Sequence, residues 1–268
     1  MKSLIHVIKG IFIGISTLIP GMGGGTTALV LGVYHRMIKA CSSFFKDIKG
    51  NLFFLSKLAL GALIGFVLVS KFMGSLMDKF YFPIIYLFIG MILGSVPFIY
   101  KKTNVKGKSS KDLIFLLIGF LFLFLISMSK SNLVDFSTLS GWINYLFLFI
   151  AGFITAIAFV LPGMSTSAFL LTLGLYELTI EAINKLQIDY LISLCLGIFI
   201  GTILILKLVE KCFEKHPRKT YLLILGFVLG SLIEIYPGLP QGFDILLSIL
   251  SFILGFFIIL FVSKRTKE

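Results

Sequence analysis

One motif occurs in both halves of the chain, and each copy interrupts an apolar segment with residues that break a helix. The copies are LIPGMGGGTTALVLGVY at 18–34 and VLPGMSTSAFLLTLGLY at 160–176, so Pro20 and Pro162 are 142 residues apart. Inside a bilayer, non-helical backbone is tolerated only where protein or water covers it. Paired Gly/Pro interruptions in two halves of a membrane protein are the best sequence indication of a transporter's binding site.

Composition agrees with a membrane protein. Hydrophobic residues make up 58% of the 268 residues and charged residues 13%, and the mean hydropathy is +1.06. These values predict an all-α polytopic membrane protein, because each crossing needs about 20 mainly apolar residues. Apolar runs occur at 53–72, 84–100, 113–128, 143–161, 190–208, 221–235 and 245–262.

The net charge of +12 is explained by the position of the cations. We assume that the two motif segments enter and leave on one side and that the other runs cross. Twenty Lys and Arg residues then fall on one face and four on the other. Positive residues collect in cytoplasmic loops, so we expect a bacterial cell-membrane protein with both termini in the cytoplasm. Membrane lipids, and not nucleic acid, are the expected partners of this charge.

The two halves remain similar beyond the motif. Gly61 and Gly90 match Gly197 and Gly226, now at an offset of 136. Each unit is therefore predicted to be a broken re-entrant helix pair followed by three transmembrane helices. Because three crossings are odd, the second unit would be inverted, as in many secondary transporters. The predicted units are 1–128 and 143–268, joined by an external linker at 129–142. The repeated glycines are interpreted as helix-packing positions.

The first motif predicts a helix start at membrane depth. Pro20-Gly21 would end a short helix, and a new helix would begin at Thr26 or Thr27 and reach about Ile38. Such a helix start offers unpaired N–H groups and a positive dipole end to an anion. The second copy adds hydroxyls, so two opposed helix starts would hold one anion. The predicted binding residues are Pro20, Gly21, Gly23, Gly24, Gly25, Thr26, Thr27, Pro162, Gly163, Ser165, Thr166 and Ser167.

Other side chains leave alternatives open. Gly and Ser could instead permit tight packing of two short helices. His35, Arg36 and Glu177 are candidates for ion coupling or headgroup contact, but an interfacial position explains them equally well. The three cysteines have no metal-site spacing, and free thiols are expected. The first motif lacks the Gly-Lys-Ser/Thr ending and the strand of a phosphate-binding loop, so nucleotide hydrolysis is rejected.

The doubled Pro-Gly-Met signature resembles that of the bacterial polyprenyl-phosphate transporter (PopT) family. That family shows Pro-Gly-x-Ser-Gly-Gly-Thr in its first half and Pro-Gly-x-Ser-Gly-Ser in its second. Here Gly23 stands where the family usually has serine, and Thr166 where it usually has glycine. The resemblance implies a flippase that returns undecaprenyl phosphate from the outer to the inner leaflet, where this lipid carries cell-wall (peptidoglycan) precursors. It also implies that 20–26 and 162–167 line the headgroup site.

Two other functions were weighed. A carrier of a small soluble anion would use the same paired helix starts, and a closed aqueous cavity would favour it over a laterally open groove. A lipid-phosphate hydrolase or transferase needs a clustered nucleophile, base and cationic clamp, and the three histidines show no such pattern. We therefore expect a transporter and not an enzyme, with no cofactor, no metal, and a proton or sodium ion as the candidate coupling ion.

Overall fold

The computed structural model describes residues 2–17, 23–103, 110–128 and 142–265. Within these ranges the chain is helical and contains no strand, as the apolar runs predict. The helices are α1 (Lys2–Ser16), α2 (Gly24–Val30), α3 (Tyr34–Ser42), α4 (Ile48–Lys102), α5 (Leu113–Met128), α6 (Trp142–Val160), α7 (Thr166–Thr172), α8 (Tyr176–Asn184), α9 (Ile188–Lys215), α10 (Pro217–Ile235) and α11 (Phe243–Arg265).

Five stretches in the described part of the chain are long and apolar enough to cross a membrane. Four of them lie in predicted crossings, but the fifth, α6, belongs to a segment that we expected to be re-entrant. Two predicted crossings are not among the five, because α5 has only 16 residues and α10 carries three charged residues. The five stretches are Ile48–Ser70, Ser75–Lys102, Trp142–Val160, Ile188–Lys215 and Phe243–Phe261.

Helix α4 contains two of these spans, joined at a kink. The backbone at Phe80 leaves the helical region, with φ −131° and ψ 36°. Pro83 lies three residues later, and a proline inside a helix removes one backbone hydrogen bond and clashes with the preceding turn. The first span of α4 is Ile48–Ser70 and the second span of α4 is Ser75–Lys102.

The two halves use the same close contact between their first helix and the next long one. Helix α1 packs against α4, and α6 packs against α9. A Cβ on Gly61 would overlap the Val7 carbonyl, and a Cβ on Gly197 would overlap the Phe149 carbonyl. The two contacts are equivalent, because Gly61 and Gly197 are related by the offset of 136 and Val7 and Phe149 by the offset of 142. The predicted packing role of these glycines is confirmed.

The remaining helices pair across the halves. The second span of α4 packs against α11, and α5 packs against α10. A Cβ on Gly90 would overlap the Phe252 carbonyl, and a Cβ on Gly226 would overlap the Leu116 carbonyl. These contacts are again equivalent at the offset of 136. Each half therefore depends on the other to bury a helix face, so the two sequence units are interlocked in the fold.

Both motifs form two short helices and not the single longer helix expected up to Ile38. Helix α2 starts at Gly24, two residues before Thr26, and ends before Gly32, which has φ +72°. The Val33 N–H bonds the Ala28 carbonyl at 2.9 Å, which is a Schellman ending. Gly174 (φ +74°) ends α7 in the same way. Glycine is favoured at this left-handed position, so the helix break follows from the sequence.

The first motif lies in the main core of the protein. Ala28, Val30 and Ile38 are almost completely buried, and they belong to one cluster with Ile92 of α4 and Val228 of α10. Apolar side chains of α2 and α3 thus hold the motif between the two halves.

Candidate binding site

The two motifs meet through buried hydrogen bonds. The Gly163 N–H donates to the Thr26 hydroxyl oxygen at 2.8 Å. The Tyr34 hydroxyl donates to the Val160 carbonyl oxygen, also at 2.8 Å. Both bonds join residues more than 120 positions apart in the chain. A buried polar group left without a partner costs about 1–3 kcal/mol, so these two bonds fix one motif against the other.

Gly163 is required by both conformation and space. Its φ is +90°, and a Cβ there would lie 2.6 Å from the Phe227 backbone. Gly23 of the first motif is equally close to the second, because its Cβ would lie 2.9 Å from the Met164 carbonyl oxygen. The small residues of both motifs therefore allow backbone to approach backbone, which is the packing role that the sequence left open.

A cavity of about 830 Å³ lies beside this junction, and both motifs line it. Gly23 and Gly24 line it from the first motif, and Ser165 and Thr166 line it at the equivalent positions of the second. Gly25 also contributes. The structure thus brings together five of the twelve predicted binding residues around one space.

The rest of the cavity wall is mainly apolar. It comes from Ile13 of α1 and the adjoining Thr17, from α3, from the first span of α4, from the end of α6, and from Thr202 and Leu206 of α9. Among the described residues that line it, none carries a charge. The cavity therefore combines a small polar patch at the motifs with a long apolar surface, as an amphipathic ligand requires.

The other predicted binding residues occupy different positions. Thr26 and Thr27 are buried inside α2 and do not line the cavity. Pro162 and Gly163 are also buried and do not line it. Neither threonine is the first residue of α2, so the predicted helix start at Thr26 or Thr27 is wrong. Pro20, Gly21 and the side chain of Ser167 lie outside the described part of the chain.

The two helices whose first residues reach the cavity are shorter than expected. Helices α2 and α7 have seven residues each, so their summed dipoles are smaller than that of the single helix expected from the sequence. Gly23 precedes α2 in an extended conformation and gives no side-chain cap. The first residues of both helices line the cavity, Gly24 and Gly25 in α2 and Thr166 in α7, and Ser165 lines it directly before α7.

His35 lies outside the cavity wall. Its ring packs edge-on against Phe213 at 4.9 Å, and with Lys102 it lines a much smaller pocket. Partial burial lowers the pKa of His35, and the positive charges of Lys102 and Lys39 lower this pKa further, whereas nearby carboxylates oppose the shift. The part of His35 in coupling or headgroup contact stays a prediction.

Arg36 and Glu177 also lie outside the cavity wall. The Arg36 guanidinium is 3.2 Å from His6 Nε2 and lies over the Phe54 ring at 4.4 Å. Glu177 lines a separate depression on α8. Their part in coupling or headgroup contact likewise stays a prediction, although Met37 and Tyr176, their direct neighbours in the chain, line the cavity.

Two residues near the cavity were missed as site candidates. Lys9 was counted with the cytoplasmic cations, yet it is only 8% exposed, and it precedes Ile13 and Thr17 by one and two helical turns on the same face of α1. Thr202 is a hydroxyl in the middle of an apolar span, and its oxygen has no hydrogen-bond partner. The available signal was the rarity of ionisable and polar residues inside membrane helices.

The three cysteines are free thiols, as predicted. Cys41 lines the cavity, Cys212 lines a separate groove, and Cys195 is exposed and lines neither. Within the described ranges no group of histidine, cysteine and acidic side chains could hold a metal ion.

Comparison with known proteins identifies the family. The VCA0040-like, undecaprenyl phosphate translocase-like family model matches residues 13–242. A polyprenyl-phosphate transporter of Staphylococcus aureus is 31% identical over 276 residues, which cover 98% of this chain and 97% of that protein. A polyprenyl-phosphate transporter of Vibrio cholerae is 26% identical over 253 residues, with 88% and 79% covered.

No solved structure matches the chain. The resemblance suggested by the doubled Pro-Gly-Met signature is confirmed, because the family model matches residues 13–242 and this range includes both motifs. Both relatives are named as transporters and not as enzymes. The chain belongs to the undecaprenyl phosphate translocase-like family.

Proposed function

We propose that this protein is a flippase that returns undecaprenyl phosphate from the outer to the inner leaflet of a bacterial cell membrane. It would thereby recycle the lipid carrier of peptidoglycan precursors without catalysing any reaction. The phosphate headgroup would lie between the two motifs, beside Gly23, Gly24, Ser165 and Thr166. The observation that carries the proposal is the single cavity lined at equivalent positions by both motifs.

The lining of the cavity favours a lipid over the alternative, a small soluble anion. Beyond the motifs, the wall is formed mainly by apolar side chains of α1, α3, the first span of α4, α6 and α9. Helix α4 packs mainly on α1 and α11, and α9 packs mainly on α6 and α3. The cavity side between α4 and α9 is therefore the natural lateral opening through which a polyprenyl chain would remain in the bilayer.

Lys9 is the proposed counter-charge for the phosphate. It is buried in α1, on the helix face that continues to Ile13 and Thr17 in the cavity wall. A lipid phosphate that reaches this face of α1 would attract the Lys9 ammonium, and the amides and hydroxyls of the motifs would bind the remaining phosphate oxygens.

The proposed topology has both termini in the cytoplasm and two inverted units that alternate between leaflets. The equivalent glycine contacts of the two halves support a structural repeat, and the charge distribution supports the orientation. A proton or sodium gradient would drive the cycle. Imposing each gradient separately on proteoliposomes would identify the coupling ion.

The decisive experiment measures leaflet-to-leaflet movement of a labelled long-chain polyprenyl phosphate in liposomes that contain the purified protein. Thr166→Trp and Gly24→Trp would fill the polar end of the cavity and reduce movement to the level of protein-free liposomes. Leu171→Trp is the matched control for Thr166→Trp, because Leu171 lies on α7 but is exposed and does not line the cavity.

A second pair of variants tests the lateral opening. Ala59→Trp would obstruct the α4 side of the cavity, whereas Leu60→Trp, one residue further, would face outward and leave movement intact. If the wild-type protein moves no polyprenyl phosphate under any ion gradient but exchanges labelled inorganic phosphate, the soluble-anion function replaces the proposed one.

A further inference from the structure

A second opening in the protein differs from the motif cavity in both position and charge. It is a groove of about 420 Å³ in the seam between two packed helix pairs, α6 with α9 and α5 with α10. Leu161 lines both spaces, so the groove adjoins the motif cavity. Along most of its length the groove is apolar, with side chains such as Phe115 and Leu208.

One end of the groove is basic. Lys219 and His216 line it there, and the Lys219 ammonium lies 5.4 Å from the centre of the Phe115 ring. The neighbouring Arg218 is tied to the Asp112 carboxylate at 3.0 Å and to the Thr103 carbonyl at 3.0 Å. Of the cations at the start of α10, Lys219 thus lines the groove, while Arg218 holds the start of α10 to the segment between α4 and α5.

The basic end has no counterpart in the other half of the repeat. At the offset of 136, Lys219 corresponds to Pro83 and His216 corresponds to Phe80. The groove therefore lacks the twofold equivalence of the motif cavity, and a ligand in it would not exchange between two equivalent sites.

We propose that this groove binds an anionic glycerophospholipid of the surrounding bilayer, with its phosphate at Lys219 and His216 and one acyl chain along the apolar seam. Basic pockets between membrane helices are typical binding sites for anionic phospholipid headgroups. The long apolar lining accounts for the chain, and the basic end provides the charge complementarity. Through Leu161, the bound lipid would support the wall of the motif cavity. This site goes beyond the proposed transport function and does not depend on it.

The native cysteines allow a direct test. Cys212 lines the groove, Cys41 lines the motif cavity, and Cys195 lies in neither. Delipidated full-length protein in detergent would be treated with a maleimide, and alkylation of each cysteine would be followed by peptide mass spectrometry. Phosphatidylglycerol should slow alkylation of Cys212 and leave Cys195 unchanged. Phosphatidylcholine with the same acyl chains should have little effect.

Variants identify the headgroup contact. Lys219→Gln should raise the phosphatidylglycerol concentration needed for half-protection of Cys212 by about fivefold, as expected for one lysine near an anionic lipid. Lys211→Gln is the control, because Lys211 is exposed at the same end of α9 and does not line the groove.

Three outcomes would overturn the proposal: equal protection of Cys212 by phosphatidylcholine, unchanged protection in Lys219→Gln, or stronger protection by undecaprenyl phosphate than by phosphatidylglycerol. The third outcome would make the groove part of the transport route. Failure of the proposed transport function would appear separately, as an absence of Cys41 protection by undecaprenyl phosphate.

Discussion

Helices α3 and α8 begin with the same tyrosine of the repeated motif, yet their surroundings differ. Tyr34 of α3 is 1% exposed, and its hydroxyl is bonded to the Val160 carbonyl of the other half. Tyr176 of α8 is 40% exposed. The preceding Schellman turns are the same in both copies. The motif sequence thus determines its local fold, whereas contacts with the other half determine its burial.

The C-terminal ends of α3 and α8 differ in the same way, because the end of α3 is bonded to another helix, whereas the ion pair near the end of α8 lies within α8 and its cap. Ser42 and Ser43, at the end of α3, donate to the Glu210 carboxylate of α9 at 2.6 and 3.1 Å. Near the end of α8, Glu181 pairs with Lys185 on the surface of the same helix. Transporters built from repeats move one repeat against the other. In the proposed transport cycle, an attached α3 and an exposed α8 would correspond to one of its two states.

The largest expected effect comes from a glycine that differs from its neighbours in the motifs. Gly163→Ala should destabilise the fold by at least about 3 kcal/mol, because the positive φ is strained for alanine and the new Cβ would press on Phe227. Thermal unfolding in detergent measures this loss. Gly25→Ala is the control, since its Cβ would lie 3.6 Å from Pro162, an ordinary contact. Equal stability of the two variants would contradict the packing described for Gly163.

The second comparison concerns charge. Lys9 of α1 corresponds to Ala151 of α6 at the offset of 142, so the proposed counter-charge belongs to the first half alone. Lys9→Gln should reduce polyprenyl-phosphate movement at least about tenfold, as expected when one charge-assisted hydrogen bond is lost. Lys9→Arg should retain part of the activity.

The exposed Lys49 supplies the control for that experiment. Lys49→Gln should leave movement unchanged, and undecaprenyl phosphate should protect Cys41 in this variant as in the wild type. Normal movement by Lys9→Gln would remove Lys9 from the headgroup site and leave the neutral donors of the motifs as the proposed contacts.

The tyrosines give the third comparison. Tyr34→Phe leaves the buried Val160 carbonyl without its side-chain donor, and we expect a loss of about 1–3 kcal/mol in unfolding free energy. Tyr176→Phe should be neutral within about 0.5 kcal/mol, as is usual for exposed positions. Denaturation of both variants in the same detergent measures the difference. A larger loss from Tyr176→Phe would mean that α8, and not α3, is the attached helix.

Much of this arrangement could be predicted from the sequence. The offsets of 142 and 136 correctly relate glycines that make equivalent contacts, such as Gly90 and Gly226. The doubled motif correctly indicated residues that share one cavity, such as Gly24 and Thr166. Even the helix break inside each motif could be predicted from the sequence, because Gly32 and Gly174 occupy the position where a helix commonly ends in a left-handed glycine.

Other features depend on packing between distant segments and leave no periodic signal. Burial of Lys9 results from how α1 packs against its neighbours, whereas counting charges by loop treats every lysine near a membrane face alike. Similarly, Thr26 was an attractive ligand by residue type, but its hydroxyl oxygen accepts from Gly163 and joins the two motifs. Sequence patterns identified the site region, and only tertiary contacts separated wall residues from those behind the wall.

The smallest expected effect tests the attachment of α3 to α9. Glu210→Gln keeps an oxygen that can accept from Ser42 but removes the charge, which weakens the hydrogen bonds by about 1 kcal/mol. Cys41 precedes Ser42 and lines the cavity, so its alkylation rate should rise roughly fivefold. Glu181→Gln, which removes a carboxylate charge from the surface of α8, should not change that rate. If both variants label Cys41 at the wild-type rate, the Glu210 contacts do not restrain α3, and the difference between the two helices rests on the Tyr34 bond and the buried apolar face of α3.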